Sequence, residues 1–344
     1  MKIISTKARL HRNSEQIRIR RHQLRASGLK RNVEHLRRLE IVRLNKPILV
    51  PAPKVFILND DRHRDSIIFF LRELERNLDA GLKVKIDFTD TIKLHPCGTL
   101  YMMANLDNLL VRFPGVISCK LPKDNIVEQL FKHLGLLSKL GRSSGLAVTA
   151  DNVVNWHYAT GSDATTSAFK ALLFQHSEAM GGVLVRSNLY DCMSEAVTNT
   201  KKHAYPKESE FLNNWWMFSQ ARDDILQVAI CDLGIGIPKS LLDKPKMEDY
   251  LRKLFMIGRQ SSHDKTLIKL ASSTSRSSTG LEYRGKGLPQ MLDFIKNQDE
   301  GGFRAQSGAG SYTYNAFSKK DKAVTHRQSI KGTLVQWTLK LKSE

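Results

Sequence analysis

The sequence predicts a mixed α/β protein of two units: an α/β unit over residues 51–140 and a larger α+β unit over 166–344. Three observations predict it. Between residues 54 and 138, short β-rich runs alternate with amphipathic stretches of helical length, the order that covers a sheet with helices. Beyond residue 166, two helical patterns precede apolar runs of period two, as antiparallel strands require. Finally, 344 residues are enough for two domains, each burying its own core.

The elements follow in order. Pro47, Pro51 and Pro53 punctuate the start of the first unit, placing a boundary near residue 50. Residues 54–58 (KVFIL) read as a strand, 62–79 as a helix with Ile67, Ile68, Leu71, Leu74 and Leu78 on one stripe, and 83–88 as a strand. A helix over 97–112 turns Leu100, Met103, Leu106 and Leu110 inward; a strand at 116–121 and a helix at 123–138 complete the unit. Residues 141–165, rich in Gly, Ser and Thr, read as a linker with one strand-like stretch near Val153–Ala159. The second unit then has helices at 167–180 and 188–204, strands at 214–219 and 225–231, and a last strand at 333–341. In that strand Thr333, Val335, Trp337, Leu339 and Leu341 share one face, the alternation of a half-buried strand.

Composition bounds the function. With 41% apolar and 26% charged residues, and no run of about 18 apolar residues, the chain reads as soluble and without a membrane partner. The basic N-terminus lacks an apolar stretch of signal-peptide length, so a cytoplasmic location is expected. Cys97, Cys119, Cys192 and Cys231 are widely spaced, which excludes a CxxC zinc pair and a disulfide scaffold. Residues 1–50 hold 14 Lys and Arg against Glu15, Glu34 and Glu40, so +11 of the net +20 sits there. Such an arm, residues 1–46, binds nucleic acid through phosphate neutralisation or is a solvated, partly helical extension.

Four motifs carry chemistry. In NLYDCMSEAVTNTKKHAYP (188–206), Leu189, Met193, Ala196, Val197 and Thr200 form a core stripe, while Glu195, Asn199 and Lys202 line up on the other face. A carboxylate, an amide oxygen and an ammonium so arranged can activate water, ligate Mg²⁺ and pair with phosphate. In ILQVAICDLGIGIPKSL (225–241), an apolar strand runs into Asp232, a charge costly to bury without a donor such as an adenine amino group. Gly234 and Gly236 clear the approach to the backbone. STGLEYRGKGLPQML (278–292) is a Gly-rich loop opening into an apolar helix, an anion cradle. It is no P-loop, because Gly287 stands where the Mg²⁺-ligating hydroxyl belongs. In KGTLVQW, Thr333 opens the last strand.

In their order, E-A-V-x-N-x-x-K-H, D-x-G-x-G-I-P, R-G-x-G-L and G-T resemble the ATPase superfamily of gyrase, heat-shock chaperone, histidine kinase and mismatch-repair proteins, over roughly residues 165–341. The resemblance implies a two-layer α/β sandwich, the histidine-kinase-like ATPase fold, holding Mg-ATP. It further implies that Asn199 binds Mg²⁺, that Lys202 and His203 approach phosphates, and that Asp232 bonds the adenine amino group. Gly234, Gly236 and Ile237 would line the base pocket, Thr333 would reach the base, and Gly285, Gly287 and Leu288 would belong to the lid. Arg284 and Lys286 are expected on phosphate. Upstream, IDFTDTIKLHPCGTLYMM resembles the strand–turn–helix of STAS domains, with Pro96 where that family carries a phosphorylatable hydroxyl.

Glu195 leaves the use of ATP open. As general base toward water it implies an ATPase or ATP-dependent switch, with a lid near 240–285 and a protein partner or homodimer. As activator of an acceptor side chain it implies a protein kinase, for which His176 is the nearest internal acceptor. The basic arm implies a third role, an ATP-regulated nucleic-acid-binding module.

Overall fold

The computed structural model describes residues 46–163, 169, 183–205, 213–243, 263–273 and 287–341. The arm 1–45, the predicted helix 167–180 apart from Phe169, His176, most of the expected lid and the residues Arg284, Gly285 and Lys286 lie outside them.

The first unit is built on a parallel sheet of β1 (Ile48–Pro51), β3 (Val84–Asp87) and β5 (Ile117–Lys120) in the order β1-β3-β5, with β2 (Val55–Phe56) paired to β4 (Lys93–Leu94) beside it. Parallel neighbours need crossovers. Helices α1 (Asp61–Asp79) and α2 (Pro96–Arg112) supply them, and α3 (Asn125–His133) and α4 (Leu136–Lys139) follow β5. Helix α1 starts where Asp60 accepts a bond from the His63 amide, and its predicted stripe is buried. Two expectations shift. The strand at 54–58 shrinks to two residues while the proline-flanked 48–51 supplies β1, and the helix at 123–138 breaks into α3 and α4 around Gly135.

The second sheet is antiparallel, ordered β6-β7-β8-β10-β9: β6 (Trp156–Gly161), β7 (Trp215–Arg222), β8 (Ile225–Asp232), β10 (Lys320–Lys340) and β9 (Gly301–Asn315). The stretch expected as a linker therefore supplies a short helix, α5 (Asp151–Val154), and an edge strand. One face packs on α6 (Val183–Asn199), α7 (Gly236–Leu242), α8 (His263–Ser272) and α9 (Gly287–Lys296); the other packs on the first unit.

Alternation along the strands shows both faces filled. In β8, Leu226, Val228 and Ile230 join the core under α6–α9, while Ala229 and Cys231 join the core shared with α1 and α2. In β10, Val335, Trp337 and Leu339 lie in one core and Leu334 in the other. The expected half-buried final strand is corrected at its start, where Leu334 packs against the first unit and Gln336 is buried; Thr338 is half-buried and Lys340 exposed. The same docking buries α2 almost all round rather than along one stripe.

The docking surface is polar as well as apolar. Arg64, fully buried in α1, donates through Nε to Gln328 O (3.0 Å), through Nη1 to Gln306 Oε1 (2.7 Å) and through Nη2 to Gly308 O (3.0 Å). Asp107 on α2 accepts from Tyr158 Oη (2.6 Å), Trp216 Nε1 (3.0 Å) and Lys139 Nζ (2.7 Å). Tyr101 Oη accepts from the Lys331 amide (2.9 Å). Among the described residues no helix is long and apolar enough to cross a membrane.

Candidate functional site

The site grows from the C-terminal end of α6. Leu189, Met193, Ala196, Val197 and Thr200 are buried, as their spacing predicts. After Asn199 the helix widens into a π-turn over Thr200–Ala204. Such turns are rare and disrupt the i, i+4 stacking of side chains. The polar row therefore loses Lys202, which is exposed and off the cleft wall, while His203, four residues after Asn199, stays on it. The Ala204 carbonyl then accepts from the Ile235 amide (2.7 Å), tying the π-turn to the loop that follows β8.

That loop carries Asp232, the last residue of β8, opposite Thr333 of β10 in register. Its Oδ1 accepts from the amides of Gly234 (2.9 Å) and Thr333 (3.2 Å), and the Thr333 hydroxyl bonds the carboxyl as well. Among the described residues it has no cationic partner. Burial outweighs these three donors and pushes its pKa up to about 6. Tyr205 Oη spans the same corner, donating to Asn214 O (2.7 Å) and accepting from the Leu233 amide (2.9 Å).

Several glycines of the site leave no room for a side chain. Gly236 has φ +79°, and a Cβ there would lie 2.5 Å from Ser307 Oγ. Ser307 in turn accepts from the Ile237 amide (2.9 Å) and donates to Gly332 O (2.8 Å), fixing the start of α7 on β9 and β10. Gly287 opens α9 against α6; a Cβ there would lie 2.6 Å from Asn199 Nδ2 and 2.7 Å from Glu195 Cγ.

Between these elements is a cavity of about 130 Å³. Asn199, His203, Asp232, Gly236, Ile237, Gly287, Leu288 and Thr333, all expected from the motifs, line it. Three others do not. Glu195 sits beside Gly287 without reaching the wall, Gly234 is pressed on Ala204, and Lys202 faces away. Sequence reasoning missed Met291, Val335, Leu241 and Ser240 on the wall and Ser307 behind it. The periodicity of 287–296 and of the last strand marks Met291 and Val335 as buried, though not as cleft residues; nothing local marks Ser307.

The wall is thus apolar in its middle (Ile230, Ile237, Met291, Val335), with one cluster of polar groups around Asp232 and another around Asn199. An apolar slot with a buried acceptor suits a flat heterocycle bearing an amino group. Among the described residues no trio of His, Cys, Asp or Glu could hold a metal ion. A hard cation here would take the Asn199 amide oxygen and fill its other positions from ligand oxygens and water, the usual habit of Mg²⁺ at phosphates. No protein-family model matches the chain, and no curated protein matches it.

Proposed function

We propose that this cleft binds Mg-ATP, and that the chain is an ATPase or ATP-dependent switch of the gyrase, chaperone and histidine-kinase superfamily its motifs resemble. The observation that carries the reading is Asp232: a buried carboxylate with a raised pKa, no cationic partner among the described residues, and an apolar slot in front of it. A purine amino group supplies the missing donor and offsets part of the desolvation cost. On this reading the helices α6–α9 on one sheet face are that superfamily's sandwich, and the first unit is STAS-like.

The donor set fits the cation. Asn199 offers one amide oxygen, and Gly287, packed against its side chain, sets no side chain of its own over it. Mg²⁺ supplies neutralisation of the triphosphate when bound. Asn199 and His203 orient the phosphates, Thr333 and the amides around Asp232 fix the base, and Arg284 and Lys286 add positive charge. Glu195, next to Asn199, takes the proton of the attacking water in the hydrolytic reading or that of an acceptor hydroxyl or imidazole in the kinase reading. Binding then alters contacts with a protein partner or a second copy, and residues 1–46 are the segment offered to nucleic acid.

Calorimetric titration of Mg-ATP into the wild type and Asp232→Asn tests the assignment. The variant should bind at least about tenfold more weakly, the cost of losing a charge-assisted bond; equal affinities would remove Asp232 from the site. Incubation with γ-labelled ATP separates the two chemistries, since hydrolysis releases free phosphate and a kinase leaves label on protein.

A further inference from the structure

A second cavity, about 380 Å³, lies between the Asn59–Asp61 loop of the first unit and the β9–β10 hairpin. It is separate from the Asp232 cleft. Arg304 stands in β9 between Phe303 and Ala305, both in the core under α6–α9, so strand alternation sends its side chain to the opposite face. The lining is nearly all polar, with Val324 its one aliphatic residue.

The charges in this cavity divide sharply. Its carboxylates are each engaged: Asp60 accepts from His63 (2.8 Å), Asp61 from His326 (2.7 Å), and Asp321 pairs with Lys269 (2.8 Å). Its donors are not. Among the described residues the side chains of Arg304, Lys320 and Lys322 make no hydrogen bond or ion pair, although Arg304 is substantially buried and its pKa is lowered by that burial. Asn59 uses its carbonyl oxygen to accept from Cys97 Sγ (3.6 Å), and Asn315 uses its own to accept from the Ser318 amide (2.8 Å) and hydroxyl (3.0 Å). Both amide NH₂ groups are left without an acceptor in the described residues. The positive field also reaches His95, whose pKa is pushed down to about 4 by burial and then by Arg304 and Lys93.

A guanidinium, two ammonium groups and two amide donors around a hydrophilic cavity with every acid already committed form an acceptor-seeking site. Leaving a sheltered guanidinium unbonded costs free energy that an arriving oxyanion recovers, and the planar fork of Arg matches phosphate or carboxylate. We propose that this cavity binds the oxyanion of a small, hydroxylated molecule, a phosphate monoester of a polyol. Arg304 is its anchor, Asn59 and Asn315 are donors to it, Lys320 and Lys322 form the rim, and Thr313 faces the hydroxyls, while Ser311 is held by His326 (2.9 Å).

Ribose 5-phosphate, inorganic phosphate and ribose, each titrated calorimetrically into the full chain at low ionic strength, test this. Ribose 5-phosphate should bind the wild type and Asp232→Asn alike, bind Arg304→Gln at least about tenfold more weakly, and outbind ribose. Equal affinity for inorganic phosphate would support the oxyanion site and assign its natural occupant to the free ion. Should Arg304→Gln lose its fold by circular dichroism, the exposed pair Lys320→Gln/Lys322→Gln serves in its place, with weakened binding expected again. The absence of phosphate binding in the wild type overturns the proposal. So does binding that survives Arg304→Gln, or the Lys pair change when that is the variant used, or binding lost in Asp232→Asn, which would place the phosphate in the nucleotide cleft.

Discussion

Arg64 and Asp232 are buried charges on opposite faces of one sheet; burial disfavours both, but what surrounds them differs. Each of the three nitrogens of Arg64 donates to an acceptor on β9 or β10, closing the junction around it, although burial still lowers its pKa to about 10. Asp232 receives donors that its burial outweighs, and its pKa rises to about 6. A charge enclosed by protein acceptors fixes two units against each other, whereas one that lines an open cavity stores a preference for a ligand donor. Removing Arg64 should therefore damage the fold, and removing the charge of Asp232 should help the fold while harming binding.

The largest effect is expected at Arg64. Arg64→Met strips donors from Gln306, Gly308 and Gln328 and should cost about 3–5 kcal/mol in urea unfolding; a loss below about 1 kcal/mol would show that the junction is not held there.

Asp232→Asn comes next and sharpens the contrast because its two effects have opposite sign. A folded pKa of about 6 against 3.8 favours the protonated carboxyl in the native state, so this contribution is full below pH 4 and lost as pH rises through 6. At pH 8 the variant without nucleotide should be more stable than the wild type by on the order of 2–3 kcal/mol. A wild type no less stable than the variant at pH 8 would contradict the burial cost. Because only the ionised carboxylate is the strong acceptor, Mg-ATP affinity of the wild type should rise between pH 5 and pH 7, and calorimetry on Asp232→Asn should show that rise diminished.

Gly287→Ala probes the Asn199 side of the cleft. The new methyl would press on the side chains of Asn199 and Glu195, which must swing aside or let the start of α9 shift, at about 1–2 kcal/mol in either stability or nucleotide affinity. Thermal melts with and without Mg-ATP would register it, and an unchanged pair of melting temperatures would mean that α9 packs elsewhere. The smallest change is Tyr158→Phe at the docking surface. It removes one of the three donors to Asp107 and should lower stability by about 1 kcal/mol without altering nucleotide affinity.

What was readable in the chain itself was local. The stripe from Leu189 to Thr200 is buried at each of its five residues, the strands expected at 214–219 and 225–231 form over 215–222 and 225–232, and eight motif residues converge on one cavity. An acid at the end of an apolar strand announces its own desolvation cost, whatever the rest of the fold does. Contacts between distant segments decided the rest. Arg64 meets Gln306 across 242 positions, and no helical pattern around residue 64 distinguishes a buried guanidinium from a solvated one. The same docking covered the second face of the final strand at Leu334, and the π-turn after Asn199 took Lys202 off the cleft wall. Periodicity describes one element and one neighbour. Which second surface covers it, and how its last turn is drawn open, is settled only when distant parts of the chain pack together.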